Sequence, residues 1–249
     1  MGVANWVGEH PIGGLHGDRM NAAQINAKIY AGRGKAALRL GFDYGVFRPV
    51  TAADPMTNQV TTIKAAFNSG DNSYKSPNMP GDAFWYGDFD ARVTQPGDYL
   101  VHPANPLDIK YIAAQQSLLP IICVDCNRKV RLSRAAPQGA AGTVGAVGYN
   151  GMCDAPAESS DVIGTNPASN GGVFVGWPCA ILFGGKSQAA IGLPGDVKNS
   201  GWRILLPPSV PVVLRAGDIV TDDLGKRYAI DGAELSDIGW RINAQEVHT

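Results

Sequence analysis

The residues best suited to chemistry in this 249-residue chain are its four cysteines, Cys123, Cys126, Cys153 and Cys179. Cys123-Val-Asp-Cys126 has the spacing of a zinc knuckle or a redox pair. It lies inside a β-like run from Ile121 to Val124, not at a strand-to-helix turn. Three positions apart on a regular strand, the two thiols face opposite sides. A four-cysteine zinc site needs a second close pair, and Cys153 and Cys179 are far apart in sequence. The four are therefore read either as free buried thiols or as disulfide partners, paired within the chain or between subunits, with oxidation following release from the cell. A zinc-stabilised module around Cys123 and Cys126 is an alternative.

Other chemistry is thin. His10, His16, His102 and His248 lack the spacing of a metal-binding helix. Gly13-Gly14-Leu15-His16-Gly17-Asp18 lacks the Gly-Lys-Ser/Thr ending of a phosphate loop, and no nucleophile elbow is present. Asp218, Asp222 and Asp223 gather near a turn without the spacing of a calcium loop, so they read as turn carboxylates bonded to their own backbone. No catalytic, cofactor or metal set is expected, and the chain is not read as an enzyme. Ala83-Phe84-Trp85-Tyr86-Gly87-Asp88-Phe89 is dense in aromatics. Such a cluster can line a sugar site, but aromatics more often form core or subunit contacts. Trp6, Phe84, Trp85 and Tyr86 are the candidate subunit contacts. A carbohydrate-binding module using Phe84, Trp85 and Tyr86 is an alternative, and it predicts loss of binding on Trp85→Ala.

The elements that must position these residues are mostly strands. Asn21 can cap a helix running to about Leu40, with Ile25, Ile29, Ala36 and Leu40 on one face and Gly41 as its stop. Gly32 and Gly34 predict a bend or a split. Tyr44 to Arg48 reads as a strand stopped by Pro49, and Val60 to Phe67 is an apolar island. A pattern then appears twice. Gly97-Asp98-Tyr99-Leu100-Val101 leads to Lys110-Tyr111-Ile112 and Leu118 to Ile122; Gly217-Asp218-Ile219-Val220 leads to Tyr228-Ala229-Ile230 and Ile238 to Ile242. Each copy reads as strand, turn, strand, loop, strand, and together they suggest an internal duplication. The expected organisation is an extended arm over 1–20, a helix plus first β unit over 21–134, a long excursion over 135–172 and a second β unit over 173–249. The fold class is mainly β with one N-terminal helix, built as small β-barrel or sandwich units.

Composition narrows the partners. Charged residues are 17% of the chain, below the roughly 25% usual for soluble domains. A surface short of charge is one that other subunits can cover. With 21 basic and 22 acidic residues the net charge is −1, and no basic stripe suits nucleic acid. No apolar run is long enough for a membrane span. The first residues lack the basic start and apolar core of a signal peptide, so export by that route is not expected.

The stretch Leu214 to Ile230, with Glu234-Leu235 and Gly239-Trp240-Arg241, resembles structural proteins of bacteriophages with long contractile tails. So do Gln95-Pro-Gly-Asp-Tyr99 leading to Tyr111 through Ile121, and Tyr30 to Ala37 followed by Tyr44 to Pro49. The likeness is overall and covers most of residues 21–245; the cysteine pair and the His-containing arm lie outside it. It implies a virion component assembled in the host cytoplasm: a homo-oligomeric ring or connector between tail tube and baseplate hub, or a neck piece. Its partners would then be other tail or baseplate proteins.

Overall fold

The computed structural model describes residues 21–68, 83–116, 118–135, 159–186 and 200–247. The arm with Trp6, Cys153 and much of the 135–172 excursion lie outside the described residues. The helix α1 (Ala22–Leu40) begins in a capping box. The Asn21 side chain accepts from the Gln24 N–H at 2.8 Å, and the Gln24 side chain accepts from the Asn21 N–H at 2.9 Å. The helix runs unbroken through Gly32 and Gly34, against the expected split. Its buried contact also differs from the expected face: Ala37 is buried, whereas Leu40 is 76% exposed. Gly34 explains the shift, because a Cβ there would lie 2.9 Å from the Asp90 Cβ. The close approach at Gly34 selects the face that docks. Gly41 stops the helix in extended backbone (φ −98°), not in a left-handed cap. A Cβ at Gly41 would meet the Ala65 carbonyl oxygen at 2.6 Å, so space decides for glycine there.

Thirteen strands follow among the described residues. The first six are β1 (Phe42–Phe47), β2 (Gln59–Asn68), β3 (Phe84–Phe89), β4 (Tyr99–His102), β5 (Asn105–Ala114) and β6 (Ile121–Cys126). They close into an antiparallel barrel in the order β1-β2-β3-β6-β5-β4. The others are β7 (Arg128–Ala135), β8 (Ser159–Ile163), β9 (Trp177–Lys186), β10 (Ser200–Leu206), β11 (Ile219–Asp222), β12 (Arg227–Ser236) and β13 (Gly239–Val247). These close into a second barrel through the β11–β7 pairing. The unit boundary therefore falls between Cys126 and Arg128. The strand containing Lys129 to Arg134, assigned from sequence to the first unit, belongs to the second.

The two barrels are copies. Around each ring the first, second, third, sixth, fifth and fourth strands follow in that order, once β8 and β9 are taken as one strand interrupted. Both pair with the same side of β7: Val130 opposes Trp177 and Leu132 opposes Ile163. In the first barrel the uninterrupted β2 makes these contacts, with Tyr44 opposite Ile63 and Val46 opposite Thr61. Residues 164–176 are thus an insertion in mid-strand, pinched at its base by the Thr165–Val175 bridge. The register agrees elsewhere: Val46 opposes Leu100 as Leu132 opposes Val220.

One polar device is built twice. Asp98 is buried after the turn glycine Gly97, and Arg48 at the end of β1 grips it through Nε at 2.8 Å and a terminal nitrogen at 2.7 Å. The Asp98 carboxylate also accepts from the Gln95 N–H at 3.0 Å. Asp218 follows Gly217 and is gripped by Arg134 at 2.7 and 2.8 Å, and it accepts from the Arg215 N–H at 2.9 Å. Even the backbone repeats: Gly97 N–H bonds Ile112 O while Ile112 N–H bonds Asp98 O, and Gly217, Ile230 and Asp218 do the same. A two-pronged guanidinium is the cation that matches a carboxylate in this plane.

The copies differ in which wall is apolar. Register equates Tyr99, Ile109, Tyr111, Val124 and Cys126 on the outer face of β4-β5-β6 with Ile219, Arg227, Ala229, Gln245 and Val247 on β11-β12-β13. The first set is buried; none of the second set is. The reason is that the second barrel covers the first set. Trp177, Cys179, Ala180 and Leu205 join Tyr99, Tyr111 and Val124 in one continuous core. Tyr99 Oη donates to Pro178 O at 2.8 Å, Trp177 Nε1 to Ala52 O at 2.7 Å and Ser209 Oγ to Gly97 O at 2.9 Å. Each buried ring contributes on the order of 4 kcal/mol of gross transfer free energy, which holds the barrels as one block. The inside of the first barrel is a separate cluster around Val46, Phe89, Leu100 and Ile112.

Arg48→Met strands a buried carboxylate, so it should cost about 3–5 kcal/mol in urea unfolding, and Arg134→Met should cost similarly. Arg48→Lys should fall between wild type and Arg48→Met, keeping the charge without the fork. Gly97 (φ +94°) and Gly217 (φ +88°) separate turn strain from packing. Both lose about 1–2 kcal/mol on mutation to Ala, but only at Gly97 would the new Cβ meet Ser209 Cβ, at 2.5 Å; at Gly217 it meets nothing within 4 Å. Gly97→Ala should therefore be the more damaging in the same assay, and Ser209→Gly should remove the difference.

Candidate functional site

Among the described residues, a concavity lies at the mouth of the first barrel. Four strands place its parts: Phe42 and Tyr44 on β1, Phe67 on β2, Trp85 on β3 and Lys110 on β5. Together with Leu40 and Asp88 they line a half-open cavity of about 490 Å³, within the size range of small-molecule sites. Lys110 is only 8% exposed. Its ammonium is ion-paired with Asp108 and, at 3.0 Å, with Asp125. It sits 5.1 Å from the Phe67 ring centre and 5.8 Å from that of Trp85, a cation over aromatic faces. Tyr44 Oη donates to Asp108 at 2.8 Å, and its ring stands edge-on to Phe67 and His102.

Electrostatics keep these groups in their resting charge states. Burial alone would lower the Lys110 pKa, but Asp108 and Asp125 outweigh it and raise it, so the side chain stays an ammonium. Burial would raise the Asp108 pKa, and hydrogen bonds from Lys110 and Tyr44 bring it below the usual value. The Tyr44 hydroxyl is pushed up by burial and by Asp108. Each shift favours the resting protonation state and disfavours nucleophilic attack or proton abstraction at neutral pH.

The second barrel repeats the central feature. Register equates Trp85, opposite Cys123, with Trp202, opposite Ala244. The Lys226 ammonium lies 5.7 Å from the Trp202 ring centre and 3.2 Å from Glu246, the counterpart of Asp125. In both copies the indole N–H is buried without a partner.

The residues singled out from sequence separate. Phe84 packs on the core shared by the barrels, Trp85 lines the cavity and Tyr86 is half-buried next to it on β3. Cys123, Cys126 and Cys179 are free thiols. As strand alternation required, Cys123 and Cys126 face different compartments, the first-barrel interior and the shared core. Asp222 caps its own turn, accepting from the Leu224 and Lys226 N–H groups at 3.0 and 2.8 Å. Among the described residues no group of three or more His, Cys, Asp or Glu side chains is placed to hold a metal. Sequence reasoning missed Asp108, Lys110 and Asp125. Their signal was present: Asp108 and Lys110 share a face of a strand that is otherwise apolar, and Asp125 stands beside an apolar run. Compared with protein-family models, curated proteins and solved structures, the chain matches none of them.

Burial pushes the Cys123 thiol up to about 12, opposed only by Lys110, and burial likewise raises Cys126 and Cys179. Thiolate is the reactive form. In the folded protein at pH 8 these three cysteines should resist maleimide, and all three should label once denaturant is added, read by peptide mass spectrometry.

Proposed function

We propose that this chain is a structural component of the virion of a contractile-tailed bacteriophage, a ring or connector subunit joining tail tube to baseplate hub. The observation that carries the reading is the duplicated barrel held as one block by a shared core. A ring of such chains presents two barrels per subunit in alternation, so one ring offers two related sets of contacts to neighbours of different symmetry. Closed barrels leave no long free edges to template disordered aggregation. Contacts then fall to barrel ends and loops, and large apolar side chains are exposed there. The β4–β5 hairpin presents Leu107, 86% exposed, and its counterpart between β11 and β12 presents Leu224, 62% exposed. The residues likened above to phage tail proteins include both turn glycines, both gripped aspartates and the strands that close each barrel. No helix among the described residues is long and apolar enough to cross a membrane, and the near-zero net charge suits packing against protein more than nucleic acid.

Gold-labelled antibody to this chain, viewed on source virions by electron microscopy, tests the reading. Label at the distal end of the tail is the expected outcome. Label below the head would move the subunit to the neck, and absence of label from intact and disrupted particles would overturn the virion assignment.

A further inference from the structure

We propose that the free edge of β12 is a docking site for an extended segment of a partner protein, one whose side chains alternate apolar and basic. The surface lies apart from the hairpin tips named above, and the proposal does not depend on a virion role. Barrel closure leaves β12 only half paired. β11 covers it from Arg227 to Ala229, and the backbone of Gly217 and Asp218 bonds Ile230. From Gly232 to Ser236 the strand has β13 on one side and, among the described residues, no neighbour on the other. The first barrel lacks such an edge, because after the matching bulge between Ile112 and Ala114 its β5 ends. Register shows which groups are free. Ile230 turns its N–H and C=O away from β13, and the bulge between Ile230 and Gly232 reverses the alternation. Gly232, Glu234 and Ser236 therefore face β13, while Ala233 and Leu235 turn their N–H and C=O outward. The two-residue turn between Ser236 and Gly239 requires the same phase.

The two faces of this edge select the partner. On one face Ala233 and Leu235 stand in register with the buried Ile242 and Trp240, and Leu235 is 56% exposed. A strand added there meets apolar surface. On the other face it meets Glu234. Asp231, Glu234 and Asp237 are all exposed and none makes an ion pair among the described residues. Arg241 stands in register with Glu234 but is not ion-paired with it, so the edge keeps a net negative charge. Lysine or arginine on alternate residues of the partner meets that charge, and the residues between them meet Leu235. A second copy of this chain is a poor fit. Two β12 edges joined about a two-fold axis at Glu234 would set like charges against each other, the device by which native edges avoid self-pairing. Main-chain bonds to Ala233 and Leu235 give affinity, and the two faces give selectivity.

The test titrates the full chain with an acetylated, amidated hexapeptide of alternating valine and lysine, following amide hydrogen exchange residue by residue in proton–nitrogen correlation spectra. Saturable slowing of exchange at the Ala233 and Leu235 amides is expected. The same peptide with glutamate in place of lysine should bind about tenfold more weakly, and so should a backbone N-methylated version. Asp231 and Glu234 are exposed, so the double variant Asp231→Lys with Glu234→Lys should fold normally and prefer the glutamate peptide. Ala233→Pro removes one outward N–H without touching the β13 ladder and should abolish the response. No protection at Ala233 and Leu235 with the lysine peptide would overturn the proposal. Equal affinity for the two charged peptides, or for the N-methylated one, would do the same. Protection that grows with protein concentration in the absence of peptide would assign the edge to a second copy instead. None of these outcomes bears on where antibody labels the virion.

Discussion

The structure depends on one wall that is buried on both sides. Strands β4, β5 and β6 face the interior of the first barrel with Leu100, Ile112 and Cys123, and face the second barrel with Tyr99, Tyr111 and Val124. An antiparallel sheet usually keeps one face for water and so alternates apolar with polar. Here alternation is lost: from Ile109 to Ala114 every residue of β5 is buried. Such a wall has no stable existence in a lone barrel, because it would expose two tyrosines and a row of aliphatic side chains. The second barrel is therefore part of the folding unit of the first.

The paired Arg–Asp grips make that wall geometrically reliable. Each closes its barrel at the point where the fourth strand meets the first, immediately after a left-handed glycine. Hydrophobic burial is non-directional, and a barrel closed by burial alone tolerates a register slip of two residues. A forked ion pair whose carboxylate also takes a turn N–H has one satisfying arrangement. The grip in the first barrel stands next to Gly97, which itself abuts Ser209 of the second. Closure of one barrel and docking of the other are thus settled within a few ångströms of each other.

The strand content, the helix and its cap, and the Gly-Asp repeat were legible because they are local. Asn21 and Gln24 are three residues apart, and Gly-Asp followed by an apolar strand is contiguous. The arginine half of each grip was not legible. Arg48 is 50 residues from Asp98, whereas Arg134 is 84 residues from Asp218. The difference arises from the insertions that lengthen the loop after β7 and split the second strand into β8 and β9. With no constant period, the repeat showed only in its C-terminal half, and β7 was assigned to the wrong copy. The mouth of the first barrel was half legible. Trp85 stood out as an aromatic, but Asp108, Lys110 and Asp125 acquire meaning only when β5 and β6 pair and bring Lys110 opposite Asp125.

Divergence between the copies indicates what each surface meets. Where the first barrel has Ile109, Tyr111 and Val124, the second has Arg227, Ala229 and Gln245, so the outer wall of β11-β12-β13 lacks the apolar set that docks the two barrels. At the other end of the molecule α1 lies over β2 and β3, the wall whose counterpart, β9-β10, receives the first barrel. Register equates Ala66 and Asp88 there with Ala180 and Leu205. Leu205 is 2% exposed in the shared core, while Asp88 is exposed to solvent. One wall is capped by a helix and the other is polar, so head-to-tail addition of barrels is terminated in both directions, as capping units terminate a solenoid. The surface that joins the two halves is thus used up within the chain, and the apolar hairpin tips at Leu107 and Leu224 are where both copies leave large side chains uncovered.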